Sequence, residues 1–290
     1  GKRIMQAAAE TLTPVALELG GKDAMLVLDD ADIDRAAKWG AWGAFFNAGQ
    51  TCMSVERVYV VESQYDAFVE KAVKYAEEFK SGYTQELDSV YSMGPVTDPR
   101  QVKTIDLHLE DALSRGARLL TGGRQKGMFY NPMVIVDVNH SMLIMKDETF
   151  GPFLPIMKVR DEAEAIRLAN DSAYGLGASV WSQNIKHAEA VARQIQAASI
   201  IVNDSIAQFG IPMLPFGGVK ESGFGRTHGR EGLMQFTRPY SYAVGIPPMK
   251  WDIATILREN GHYALAAAIM GLLYGTSLSQ RWQVLMCFLS

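Results

Sequence analysis

Short apolar segments alternate with amphipathic segments of helical length along most of this 290-residue sequence. The apolar segments are bounded by Gly or Asp, as buried strands are: "TPVALEL", "AMLVL", "RVYVVE", "NPMVIVDV", "FLPIMKV", "LGASVWS" and "ASIIVND". Apolar residues recur at steps of three and four between Ser63 and about Lys80, which predicts a helix there. Asp32 can cap a helix over "DADIDRAAKWGAWGAFF", and Gly116 can end one over "PRQVKTIDLHLEDALSRG". The alternation predicts an α/β fold with a mostly parallel sheet.

Composition excludes several classes of protein. The formal net charge of −4 gives no basis for binding nucleic acid, because such proteins concentrate Lys and Arg on one face. The two cysteines, Cys52 and Cys287, do not make a disulfide framework, so a reducing compartment, the cytoplasm, is expected. The histidines have no metal-ligand spacing, so no metal site is predicted: His108, His140, His187, His228 and His262.

Cys52 lies in "FFNAGQTCMS", where Gly49, Gln50 and Thr51 predict a turn between a helix and a strand. Most lone cysteines are small buried hydrophobic residues, and that interpretation stays open for Cys52. A turn, however, presents a side chain to a cleft and leaves backbone N–H groups free. Such groups lower the pKa of a thiol and stabilise an oxyanion, so Cys52 is a candidate nucleophile.

Two glutamates stand beside glycine at strand boundaries. Glu18 lies in "LELGGKD", at the end of an apolar strand and before two glycines. Glu148 precedes Phe150 and Gly151 in "DETFGPFLPI". A carboxylate at the carboxyl end of a strand points into the usual ligand crevice of α/β sheets, which is where Glu18 is expected. A solvated strand end for Glu18 and a capping role in a turn for Glu148 are the alternatives.

Four segments, in this order and at about this spacing, resemble the motifs of the aldehyde dehydrogenase superfamily: "LELGGKDA", "FFNAGQTCMS", "DETFGPFLPI" and "PFGGVKESGFGR". The resemblance runs from Gly1 to about Pro248. Two positions near the cysteine depart from the usual motif, Ser54 and the charged Glu56, and they leave the substrate class open. The resemblance implies an α/β catalytic domain that follows the end of a truncated Rossmann-like domain.

The resemblance also implies roles for single residues. Cys52 corresponds to the nucleophile and Glu18 to the general base. Glu148 and Phe150 correspond to contacts with the ribose and ring of the nicotinamide of NAD or NADP, and Leu19 would lie beside that ring. Thr51, Phe209 and Phe216 correspond to residues that line the substrate tunnel.

The implied reaction is oxidation of an aldehyde to a carboxylic acid through a thiohemiacetal and then a thioester on Cys52. Glu18 would activate the water that hydrolyses the thioester, and a carboxylate there favours the free acid over transfer to coenzyme A. Two alternatives stay open. The chain could be a non-redox oligomerising partner, or a thiol esterase that needs no cofactor.

The resemblance suggests three parts of the chain, which the tail 250–290 follows. Residues 1–21 would be the remnant of a cofactor-binding domain and residues 22–222 the catalytic domain. Residues 223–249 would be a return segment containing an oligomerisation strand, "RPYSYAVGI" over 238–246, so the complete protein is expected to be a homo-oligomer. The chain is accordingly interpreted as an N-terminally truncated fragment, expected to lack activity when isolated.

Residues 250–290 follow Pro247 and Pro248 and differ in composition from the rest. The stretch "YALAAAIMGLLY" has no charged residue, but it is shorter than the ~20 residues of a membrane-spanning helix. Membrane association through this tail is one hypothesis. Helices packed on the enzyme are the other.

Overall fold

The computed structural model describes residues 1–86, 90–244, 270–277, 279 and 281–282. The chain divides into two compact units, Gly1–Arg238 and Pro239–Ser290. The elements of the first unit, in chain order, are α1 (Lys2–Ala9), β1 (Leu17–Glu18), β2 (Asp23–Val27), α2 (Ile33–Phe45), β3 (Val55–Val61), α3 (Glu62–Glu78), α4 (Pro99–Ser114), β4 (Arg118–Arg124), β5 (Tyr130–Val136), α5 (Leu143–Lys146), β6 (Phe153–Val159), α6 (Glu162–Asn170), β7 (Tyr174–Gly175), β8 (Gly177–Trp181), α7 (Ile185–Ala192), β9 (Ser199–Val202), β10 (Val219–Lys220), β11 (Gly223–Phe224) and α8 (Gly229–Gln235).

Within the described part of the chain, seven strands form one sheet in the order β4-β5-β6-β3-β2-β8-β9. All neighbouring pairs are parallel except β4 with β5. Every residue of β2, β3 and β8 is buried, because helices cover both faces of a parallel sheet. Residues of α2 and α3 pack in the core on one face, and residues of α4, α6 and α7 pack in the core on the other. The α/β prediction is confirmed.

Local signals predicted the helices well. The Asp32 side chain accepts a hydrogen bond from Arg35 N at 3.1 Å and so caps α2. Helix α3 buries Phe68, Ala72 and Ala76 along the predicted stripe. Gly116, just past the end of α4, has φ +94°, a left-handed conformation that glycine adopts without strain.

Two strands differ from what the sequence predicted. "TPVALEL" forms only the two-residue β1, which pairs antiparallel with β11 and lies outside the seven-stranded sheet. Its first residues are exposed, and Pro14 has no N–H to donate to a ladder. Strand β4 was not predicted, because two glycines interrupt its apolar pattern and an edge strand is only half buried.

The oligomerisation strand over 238–246 stays a prediction, because it concerns the assembled protein. Residues 238–244 form no strand in this single chain, and an intersubunit strand would need a second chain to pair with; residues 245 and 246 lie outside the described residues. Most of the tail 250–290 also lies outside them, although residues 270–274 are helical. None of the helices that the structure describes has the length and apolar character needed to cross a membrane.

Candidate active site

Three segments that the sequence marked separately meet at the amino-terminal edge of the sheet. Cys52 precedes β3, Glu18 precedes β2 by a few residues, and Glu148 precedes β6; these three strands are neighbours. The expectation that Glu18 would lie at the carboxyl edge was wrong. The strand that carries Glu18 is not part of the main sheet, and the chain enters β2 only after the two glycines.

The two glycines after Leu19 allow these segments to touch. A Cβ atom at Gly20 would overlap the carboxylate of Glu148, and one at Gly21 would overlap the carbonyl oxygen of Cys52. The segment therefore passes between the other two segments with no room for side chains. Glycine is used here for close approach of backbone to its neighbours.

The turn before Cys52 has an unusual backbone. Asn47, Ala48 and Gly49 all have positive φ, at +53°, +57° and +70°. The side chain of Gln50 holds the turn from outside: its Oε1 accepts from Thr97 N at 2.8 Å and its Nε2 donates to Asn47 O at 3.0 Å. Backbone strain of this kind persists where surrounding contacts over-determine it, and it clusters at functional sites.

Cys52 is half-buried, and burial is the main cause that raises the pKa of its thiol to about 12. The Glu18 carboxylate raises the same pKa further through its charge and through hydrogen bonding to the thiol, and Asp23 adds a smaller effect. The backbone N–H of Met53 acts in the opposite direction but is weaker. The expected lowering of the pKa by free N–H groups is therefore outweighed, and the resting thiol is protonated.

Glu148 is half-buried, and its Oε1 accepts a hydrogen bond from Gly21 N at 2.9 Å. Burial raises the pKa of this carboxyl to about 7, although the Gly21 N–H opposes the shift. Phe150, two residues later, has φ +48°. Leu19 is also half-buried, and its N–H donates to Ser222 O at 3.1 Å.

Phe216 is 3% exposed and packs with Met53 and Leu176 in a small apolar cluster against which Cys52 lies. Phe209 is 48% exposed and meets Phe216 edge to face, with ring centroids 5.0 Å apart. Of the predicted substrate-lining residues, Phe216 thus packs beside Cys52, whereas Phe209 contacts Phe216 and is more exposed. Thr51 is half-buried, and its carbonyl accepts from Ser54 N at 2.9 Å.

Sequence reasoning missed several residues around this site. His228 stacks against Phe209 and Phe216 at centroid distances of 5.3 and 5.7 Å. Lys22 and Asp23, which follow the glycines directly, are both buried. No signal in the sequence marks these two as buried, because a charged residue at a strand start is usually solvated.

The comparisons with known proteins agree on one family. Residues 1–241 match the family described as "Aldehyde dehydrogenase family". The chain is 47% identical over 241 residues to a 4,4'-diapolycopene aldehyde oxidase of Methylomonas sp. This match covers 83% of this chain and 45% of that protein. It is 41% identical to the peroxisomal aminoaldehyde dehydrogenase 1 of Pisum sativum, with 81% of this chain and 47% of that protein covered.

Solved structures give the same result. A betaine aldehyde dehydrogenase of Staphylococcus aureus in complex with NAD+ has a TM-score of 0.77 and 36% identity, over 81% of this chain and 48% of that one. The putative aldehyde dehydrogenase PutA of Anabaena variabilis has a TM-score of 0.81 and 34% identity, over 87% and 55%. The chain spans about half the length of the relatives it matches. It belongs to the aldehyde dehydrogenase family.

Proposed function

We propose that the protein containing this chain oxidises an aldehyde to a carboxylic acid with NAD+ or NADP+, and that Cys52 is its nucleophile. The observation that carries the proposal is that the segment of Glu18 packs against the segment of Cys52, since a Cβ at Gly21 would overlap the Cys52 carbonyl oxygen. A nucleophile with a carboxylate base in an adjacent segment is a usual arrangement for covalent catalysis.

The first step follows from the protonated thiol. As Cys52 Sγ adds to the aldehyde carbon, the thiol proton leaves to solvent water, and the carbonyl oxygen becomes an oxyanion. Among the described residues, the Cys52 N–H has no hydrogen-bond acceptor, so it is free to donate to that oxygen. The result is a thiohemiacetal, a tetrahedral carbon that can lose hydride.

NAD+ or NADP+ would supply the hydride acceptor. The chain's own residues suit the nicotinamide end of such a cofactor: the Glu148 carboxylate is an acceptor for ribose hydroxyls, and Phe150 and Leu19 offer apolar surface to a ring. The glycine at position 20 supports this fit, because a side chain at Gly20 would fill the space that the Glu148 carboxylate occupies. After hydride loss, a thioester remains on Cys52.

Hydrolysis of the thioester needs a second proton transfer. Glu18 takes a proton from water as the water oxygen attacks the acyl carbon. The C–S bond then breaks, Cys52 regains a proton, and the carboxylic acid leaves. Glu18 is exposed, so water reaches it directly.

The proposal is tested by NADH or NADPH formation in the protein encoded by the complete reading frame. Because relatives are named for diapolycopene aldehyde and for aminoaldehydes, both kinds of aldehyde belong in the substrate panel. Cys52→Ala should abolish reduced-cofactor formation, whereas Cys287→Ala should not. Activity of Cys52→Ala within tenfold of the wild type would disprove the role of Cys52.

Glu18→Gln separates the two half-reactions. We expect one burst of NADH and then slow turnover, because the neutral amide cannot take the proton from water. Stopped-flow absorbance measures the burst. A variant with no burst and weak substrate binding would instead indicate a structural role for Glu18.

The two alternative functions have their own readout. A thiol esterase would turn over p-nitrophenyl acetate through Cys52 but never form NADH from an aldehyde. A non-redox oligomerising partner would do neither.

Location and assembly are further proposals. A reactive thiol at position 52 suits a reducing compartment such as the cytoplasm. We propose homo-oligomer formation for the complete protein and membrane association through residues 250–290. Sedimentation tests the first. Fractionation of cells with and without the tail tests the second, and recovery of both forms in the soluble fraction would exclude it.

A further inference from the structure

A buried ion pair lies behind the turn that carries Glu148. The side chains of Lys22 and Glu56 are 0% and 3% exposed, and Nζ lies 2.5 Å from Oε2. The proposed reaction uses neither residue. Removing two charges from water is costly, so a pair buried to this degree needs further hydrogen bonds to be stable.

Glu56 finds those hydrogen bonds on the turn itself. Its Oε2 accepts from Thr149 N and its Oε1 accepts from Phe150 N, both at 2.8 Å. One carboxylate thus holds two successive backbone N–H groups. Lys22 Nζ donates to the hydroxyl of Thr149 at 3.0 Å, so the same pair also holds a side chain of the turn.

The turn needs such restraint. Phe150 has φ +48°, a left-handed conformation that is strained for a residue with an aromatic side chain. Without the carboxylate, the two N–H groups would lose their acceptor, and Phe150 would have little reason to keep this conformation. The directions in which the side chains of Glu148 and Phe150 point depend on this backbone conformation.

Lys22 belongs to the same segment that binds the Glu148 carboxylate, so it links that contact to the restraint on the 148–150 turn. Gly21 N holds the Glu148 carboxylate at 2.9 Å, and the next residue, Lys22, reaches Thr149. Arg57 Nε in turn donates to Lys22 O at 2.8 Å and fixes this segment. The side chain of Glu148 and the backbone of the turn are therefore held by consecutive residues of one segment.

We infer that Lys22 and Glu56 are positioning residues, which lock the 148–150 turn in the shape that presents Glu148 and Phe150 to the nicotinamide riboside. The inference rests on the proposed function for what the turn binds. It assigns a task to Glu56, one of the two positions where the sequence departs from the usual cysteine motif.

The test begins without cofactor, on the 290-residue chain. In Glu56→Gln, an amide replaces one of the two acceptor oxygens, so we expect hydrogen exchange at the Thr149 and Phe150 amides to accelerate at least tenfold. Val180→Ala, in the buried core strand β8, is the control: it lowers stability without touching the turn. Equal exchange at these amides in the wild type and Glu56→Gln would overturn the inference.

The second measurement uses the complete protein. Glu56→Gln should raise the KM for NAD+ or NADP+ at least tenfold, while acylation of Cys52 by p-nitrophenyl acetate changes less than twofold. A general loss of structure would weaken cofactor binding and slow the acylation of Cys52 together, as Val180→Ala should. If Glu56→Gln forms NADH with an unchanged KM for the cofactor, the inference about Glu56 is overturned but the proposed function is not. If the wild type forms no NADH, the proposed function itself is contradicted.

A milder pair of variants covers the case in which Glu56→Gln does not fold. Thr149→Val removes the hydroxyl that meets Lys22 and also His108, whose Nδ1 lies 3.0 Å from it. We expect the KM for the cofactor to rise at least threefold in Thr149→Val and to return to the wild-type value in Thr149→Ser. No difference between these two variants would overturn the inference.

Discussion

At the scale of single residues, the reactivity of Cys52 is set by what surrounds it. Burial and the charge of Glu18 both disfavour the thiolate, and their combined effect exceeds the stabilisation from Met53 N–H. Activation therefore has to come from transfer of the proton to a base during attack. This differs from cysteines at helix N-termini, where a low pKa supplies a standing thiolate.

Alkylation of Cys52 by iodoacetamide should follow from this. With a pKa of about 12, the rate at position 52 is expected to keep rising about tenfold per pH unit from pH 7 to 10, without a plateau. Glu18→Gln removes a negative charge, lowers the pKa of the thiol, and should speed alkylation at pH 9. Mass spectrometry of the peptide containing Cys52 gives the rate. Glu10→Gln, at an exposed position, is the matched control; a plateau below pH 9 in the wild type would contradict the expectation.

At the scale of elements, the turn before β3 is held by contact with the turn before β6. Gly49 has φ +70°, and a Cβ there would overlap the carbonyl group of Gly151. Two separate requirements thus fall on one position, a left-handed backbone and close approach. Only glycine meets both.

Comparing Gly49 with Gly127 separates the cost of the left-handed backbone from the cost of the close approach. Gly127 has φ +68° but nothing within 4 Å of a Cβ, so Gly127→Ala should cost only the conformational strain, about 1 kcal/mol. Gly49→Ala should cost about 3 kcal/mol or more, because the overlap with Gly151 adds to the strain. Urea denaturation measures both. Equal losses would mean that the turn relaxes freely and that the contact with Gly151 does not define the site.

At the scale of the whole molecule, burial of charged groups beneath the site makes stability depend on pH. Burial raises the pKa of Asp23 from 3.8 to about 8, against the opposing effects of Gly177 N–H and of Arg57. The folded protein therefore binds this proton more tightly than the unfolded chain. The stability contributed by the protonated form is complete below about pH 4 and is lost as the pH rises through about 8.

Asp23→Asn tests this linkage. The amide keeps an oxygen that can accept from Gly177 N, which Asp23 Oδ1 now accepts at 2.9 Å, but it does not titrate. The melting temperature of the wild type should fall between pH 6 and 9 more steeply than that of Asp23→Asn. Differential scanning calorimetry across this range gives the two slopes. Parallel slopes would show that Asp23 is ionised in the folded protein.

The sequence by itself determined the elements and the chemical groups. Apolar runs and helical periodicity predicted the α/β class, because parallel strands are buried on both faces and helices on one. The N-cap at Asp32 and the glycine after α4 depend on neighbours a few residues away, so local patterns predict them. The same locality identified Cys52, Glu18 and Glu148 as candidates from the residues beside them.

Only the tertiary structure decided how these groups meet. Strand order brings β6, β3 and β2 together, and this order places three distant segments at the amino edge, against the expectation for Glu18. The pKa of Cys52 and the pairing of Lys22 with Glu56 arise from contacts across 34 residues of sequence, together with burial. Desolvation and charge act through space, so no pattern along the chain could reveal their balance.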